Sequence, residues 1–155
     1  MNINFYDTRL TKDGRTVLVR ERTVSYKTDR AENPGCVAAM VRKITGMDKL
    51  AEEHCYMLAL NNVGKVLGVF LISKGTVNSS LISAREVYIR ALLIGGCMVV
   101  IFHNHPSGRA EPTPADIETT VRIKKAGDVV GIPMADHIII GGSGYYSFAE
   151  HGLPD

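Results

Sequence analysis

A chain of 155 residues, 45% apolar and 22% charged, has the make-up of one ordinary globular domain long enough to bury a core. Its formal charge of +2 gives no independent case for a nucleic-acid surface. No apolar run approaches the roughly 20 residues a membrane helix needs, and Met1 to Leu10 lacks the basic-then-apolar pattern of a signal peptide.

The three cysteines, Cys36, Cys55 and Cys97, form no CxxC pair. Neither a zinc ribbon nor a disulfide framework is therefore indicated, and reduced thiols in a cytoplasmic protein are the simplest account. Residues 1 to about 30 are polar and mixed. Thr16-Val17-Leu18-Val19 reads as a short edge strand after the turn Asp13-Gly14, protected by Arg15, Arg20 and Arg22. Asn33-Pro34-Gly35 opens an amphipathic helix carrying Val37, Met40, Val41 and Ile44, and Gly46 ends it.

Cys55–Leu60 and Val66–Ser73 read as strands joined by Asn61-Asn62-Val63-Gly64, residue types that suit a tight hairpin. Ser83-Ala84-Arg85-Glu86 has the pattern of a capping box, with Glu86 reaching back to the start of a helix that stops at Gly95-Gly96. Cys97–Phe102 is an uninterrupted apolar run of strand length, and Thr113-Pro114 opens a helix toward Gly131. Asp136–Ile140 and Tyr145–Phe148 complete the strands. The pattern is mixed α/β, a sheet flanked by a few helices.

The apolar run ends in His103-Asn104-His105-Pro106-Ser107-Gly108, and Thr113-Pro114-Ala115-Asp116 follows. Two imidazoles one residue apart on extended backbone project to the same side. Pro106 and Gly108 force a turn that returns a carboxylate to them. Two neutral imidazoles and one carboxylate make a three-ligand site with a fourth position for water, a set that suits Zn²⁺. Such a metal lowers the pKa of its water from about 15.7 to about 7. Thr-x-x-Asp is equally a helix capping box, and local pattern does not separate that reading from the metal one. Glu52 and Glu53 are the candidates for a general base, pointing to opposite faces of an extended chain. Thr113 and Ser107 lie in the right loop to steady an oxyanion.

The run from His103 to Gly108, then Pro112-Thr113, Asp116 and Thr119, resembles the RadC-like branch of the JAB/MPN metalloproteases, the JAMM-motif family. Gly75, Arg85-Glu86, the run Asp136 to Gly141 and Ser147 extend the likeness across roughly residues 35 to 150. The resemblance implies a single α/β domain with a curved mixed sheet flanked by helices, and metal ligands at His103, His105 and Asp116. It further implies an oxyanion-steadying hydroxyl at Thr113. A catalytic glutamate opening the strand that ends in Leu60-Asn61 selects Glu53 over Glu52. The implied activity is Zn²⁺-dependent cleavage of a peptide or isopeptide bond, in many relatives one to a ubiquitin-like protein's tail. Residues 1–34 are expected to be a short N-terminal extension, and the roughly 50 residues before Glu52 are expected to be too few and too polar for the helix-hairpin-helix module of longer relatives.

His137, in a strand beside Asp136, is expected to be a hydrogen-bonded partner of the site rather than a ligand. His54 points away from Glu53, toward a core or edge role. The rival readings are a non-catalytic metal-binding interaction module and a DNA-repair-associated accessory protein, the latter resting on the family name alone. The loops 74–82 and 108–112 are the segments that would shape a groove for a peptide or protein substrate.

Overall fold

The strand His54–Leu60 is buried at all 7 of its positions, with no alternation between apolar and polar. A strand reads this way when both faces of its sheet are covered. A computed structural model of the chain describes residues 1–75 and 82–155, so most of the loop 74–82 lies outside the described residues. In chain order the elements are β1 Asn2–Leu10, β2 Thr16–Ser25, α1 Pro34–Thr45, a single 3-10 turn at Met47–Lys49, β3 His54–Leu60 and β4 Val66–Lys74. They continue with α2 Ala84–Leu93, β5 Met98–Asn104, α3 Pro114–Val130, β6 Met134–Ile140 and β7 Tyr145–Ser147.

The strands form one mixed 7-stranded sheet in the order β2-β1-β4-β3-β5-β6-β7. β5 and β6 are parallel, with α3 as the crossover between them, while β3 pairs antiparallel with both β4 and β5. On one face α1 packs Val37, Met40, Val41 and Ile44 against Leu58, Leu60, Val100, Phe102, Ile138 and Ile140. On the other, Val87, Tyr88 and Ala91 of α2 and Ile123 of α3 cover Cys55, Met57, Val99 and Ile101. The result is a helix–sheet–helix sandwich with two apolar cores, as the sequence pattern implies. Fully burying each such large side chain is worth about 1.5–3 kcal/mol.

The alternation along β5 decides where chemistry can occur. Val99 and Ile101 face α2 and α3, so His103, two residues on, faces the same way. Cys55 of β3 lies directly opposite His103.

Two local expectations are corrected. The polar N-terminal stretch forms a long hairpin, β1 and β2, rather than one short strand at Thr16–Val19. Its apolar residues are too few to announce it; Ile3 and Phe5 are buried in the core, Val24, Tyr6 and Leu18 pack partly against it, and Arg22 stacks over the Phe5 ring at 3.5 Å. The capping box at Ser83 is absent, since Ser83 makes no side-chain cap. Glu86 turns instead to the guanidinium groups of Arg85 (2.6 Å) and Arg90 (2.7 Å). Charge-assisted pairs of this kind are stronger than a neutral backbone bond. α1 behaves as read: Asn33 accepts from Cys36 N, and Gly46 closes the helix in the left-handed region, at φ 66°.

Candidate metal centre

His103 is the next-to-last residue of β5 and His105 the first beyond it. The His105 backbone N–H still reaches the sheet, donating to Ile140 O at 3.0 Å. The chain then turns, Gly108 N–H donating to His105 O at 2.9 Å. The His105 ring is tied down by this turn, its Nδ1 lying 2.9 Å from Arg109 O. A carbonyl only accepts, so Nδ1 carries the proton there and Nε2 faces the site. Gly141 makes room for the loop: a Cβ at that position would stand 2.7 Å from Gly108 O and 3.1 Å from Ala110 N.

Asp116 arrives at the third position of α3, and the two readings of Thr-x-x-Asp hold together. Its Oδ2 accepts from Thr113 N–H at 2.7 Å while Thr113 Oγ1 accepts from Asp116 N–H at 3.2 Å, a reciprocal capping box. The same carboxylate meets His103 Nε2 through Oδ1 at 3.2 Å and His105 Nε2 through Oδ2 at 3.3 Å. Capping fixes the rotamer that presents the carboxylate to both rings. The two Nε2 atoms are 3.0 Å apart.

One donor atom from each of His103, His105 and Asp116 lies within 4.8 Å of the others. Two imidazole nitrogens directed at each other beside a carboxylate need a proton or a cation between them. The donor set is of the type that divalent zinc takes in its three-ligand sites. Burial alone would raise the Asp116 carboxyl, but the hydrogen bonds from His103 and His105 outweigh it and hold the group well below the usual carboxylate range. The hydrogen bond from His105 to Asp116 raises that imidazole above its ordinary value, against the opposing effect of burial. The cluster thus favours positive charge where its three donor groups meet.

Around this cluster stand residues that do not join it. Glu53 Oε1 is 4.0 Å from His103 Nε2, its side chain mostly buried at 17% exposure. Glu52 points to solvent and pairs with Lys74 at 3.6 Å. The Thr113 hydroxyl donates to Asp116 Oδ2 at 2.7 Å. His137 is fully buried with its Nε2 2.8 Å from His103 Nδ1, the hydrogen-bonded neighbour the sequence suggests. Burial, then the nearby His103, push its pKa well below the ordinary imidazole value. Buried His54 stacks on Tyr56 with rings 14° from parallel, away from the cluster.

Two contributors went unassigned in the sequence. Thr120 Oγ1 donates to Asp116 O at 2.6 Å and also contacts His137 Nδ1 at 2.7 Å. Its spacing of four from Asp116 on a helix was the available signal. Asn104 bonds across the sheet to the backbone of Glu52 and His54. Only strand register reveals that, and register is not written in the residues of one strand.

Comparison with known proteins agrees with this arrangement. Residues 31–153 match the RadC-like JAB domain family. A UPF0758 protein of Staphylococcus haemolyticus is 44% identical over 109 residues, covering 70% of this chain and 48% of the relative. One from Rubrobacter xylanophilus is 41% identical over 122 residues, 78% of this chain and 52% of the relative. One from Staphylococcus epidermidis is 38% identical over 133 residues, 86% of this chain and 58% of the relative. The chain spans about half the length of the curated relatives it matches. With a sheet covered by helices on both faces, a His-x-His strand end and an aspartate returned to it by a capped helix, the chain belongs to the RadC-like JAB domain family.

Proposed function

We propose that this chain binds a divalent metal ion through His103, His105 and Asp116, and that the bound ion serves hydrolysis of a peptide or isopeptide bond. The convergence of the two Nε2 atoms and the Asp116 carboxylate supports the metal reading most directly. A zinc ion held by such a set supplies an acidified water and polarises a carbonyl. Glu53 stands close enough to take a proton from the attacking water and pass it to the leaving amine. Thr113, at the mouth of the same loop, is proposed to steady the oxyanion, by its hydroxyl once that group leaves Asp116 Oδ2. A cavity of about 400 Å³ lined by His105, Ser107, Arg109, Glu111 and Thr113 adjoins the ligands and would receive the substrate chain.

A second reading is a metal-binding module without turnover. It is favoured by the closed bonding of Thr113 onto Asp116 and by Glu53 lying outside the three-residue cluster. The two readings share the metal and part at Glu53. Metal analysis of purified wild type and His103→Ala tests the first step, with one ion per chain expected in wild type and loss in the variant. Mass-spectrometric profiling of peptides cleaved by wild type and by Glu53→Gln tests the second. Cleavage present in wild type and lost in a metal-loaded Glu53→Gln supports the hydrolase; no cleavage by the loaded wild type leaves the binding module.

A further inference from the structure

The hydrogen bonds behind His103 run in one direction, and a backbone atom sets it. Thr120 Oγ1 lies 2.6 Å from Asp116 O, and a carbonyl can only accept, so the hydroxyl proton is committed there. Toward His137 Nδ1, at 2.7 Å, the hydroxyl is then left with lone pairs and can only accept. His137 therefore carries its proton on Nδ1. The ring is buried, stacked against Phe148 at 5.1 Å, and its two nitrogens meet Thr120 and His103 with no carboxylate bonded to them among the described residues, so it holds a single proton. Its Nε2 is then a lone pair aimed at His103 Nδ1, 2.8 Å away, which must be the donor. His103 Nδ1 thus carries a proton at the back of the ring, and Nε2 is the nitrogen turned to His105 and Asp116.

We propose that Thr120 and His137 are positioning residues that fix the tautomer of His103 through a one-way chain beginning at the carbonyl of Asp116. One ligand's backbone thereby decides which nitrogen another ligand offers. His105 has its own, simpler device in Arg109 O. The proposal rests on the metal reading above for its consequence but not for its direction, which the hydrogen bonds and the burial of His137 set. It also gives a role to a threonine fully buried on the packed face of α3: a hydroxyl is the smallest group able to donate to one neighbour while accepting from another.

The test has two independent arms on the full chain. Long-range ¹⁵N–¹H correlation spectra of the histidine side chains should show His137 as the Nδ1–H tautomer, with Nε2 unprotonated, in the metal-free and the Zn²⁺-loaded protein. Observation of the Nε2–H tautomer at His137 overturns the proposal without any variant being made. In competition titrations against a chromophoric chelator, Thr120→Val should lower Zn²⁺ affinity about 10–100-fold, whereas Thr120→Ser should restore it. Unaltered affinity in a folded Thr120→Val, or a loss in Thr120→Ser equal to it, counts against the chain. Absence of Zn²⁺ binding by wild type would remove the metal reading while the spectra still decide the direction of the relay.

Discussion

Asn104 holds the backbone on both sides of Glu53. Its Oδ1 accepts from His54 N–H at 2.7 Å and its Nδ2 donates to Glu52 O at 3.1 Å. Glu53 O is meanwhile taken by Gly75 N–H at 3.1 Å. The residue between the two histidines thus aims the carboxylate that stands beside them. If Glu53 is the base, Asn104→Ala should lower kcat about 10–100-fold while metal stoichiometry stays as in wild type, because a small misplacement of a reacting group is costly. Steady-state kinetics combined with metal analysis checks this; a variant that loses the metal instead would assign Asn104 to the ligand shell.

Metal capture should depend on pH with a definite sign. The hydrogen bond to Asp116 raises the His105 imidazole above its ordinary value, so an incoming cation should have to displace a proton over a wider pH range than at a free imidazole. Apparent Zn²⁺ affinity should be flat well above the raised pKa and fall by up to about tenfold per pH unit below it. The same proton stabilises the metal-free fold: its contribution is full below the unfolded value and is lost as pH rises through the folded one. Chelator-competition titrations and thermal melts of metal-free protein across pH 6 to 9 would show the two trends opposed.

Asp136 gives a second pH prediction. Burial raises its carboxyl above 3.8, partly offset by bonds from Ser147 Oγ and Ala149 N–H. A raised carboxyl means the native state binds more protons in that window, so stability drops as pH rises through it. Asp136→Asn can keep both bonds, its amide oxygen facing Ala149 and its NH₂ facing Ser147. Its unfolding curve should lose this pH dependence, and its Tm at neutral pH should exceed that of wild type. A lower Tm would mean that the charge itself holds the C-terminal turn.

The packing of α3 against α2 and the start of β6 depends on Gly127. An added Cβ would run into Tyr88 OH and approach Ile132 O to 2.6 Å. Tyr88 OH is bound to Ile123 O at 2.9 Å and cannot retreat without breaking that bond. Gly127→Ala, which would otherwise favour a helix, should instead destabilise the protein by about 1–3 kcal/mol. Denaturant unfolding measures this directly.

The cluster of His103, His105 and Asp116 was legible because each residue lies in a strong local signal: an apolar strand that ends abruptly, a proline–glycine turn, and a capped helix start. β3, α1 and the Asn61–Gly64 hairpin were legible for the same reason. What stayed hidden depends on relations between distant segments. The β1 strand is half exposed and mixed in composition, so its place in the sheet comes from pairing with β2 and β4 rather than from periodicity. Glu86 satisfies a capping pattern in one dimension and prefers two guanidiniums in three. Thr120, buried on a polar helix, looks like any surface threonine until His137 of β6 is laid beside it.

His103, His105, Asp116, Thr120 and His137 all belong to one uninterrupted excursion of the chain, out along β5, back through α3 and into β6, whereas Glu53 enters from β3. On the proposed function, capture of the ion and its use therefore reside on separate stretches of the chain. On that proposal, a descendant could exchange the residue at 53 and keep the candidate cradle for a cation, losing turnover while retaining metal binding. Drift in the opposite order would leave the carboxylate at 53 with no ion to serve.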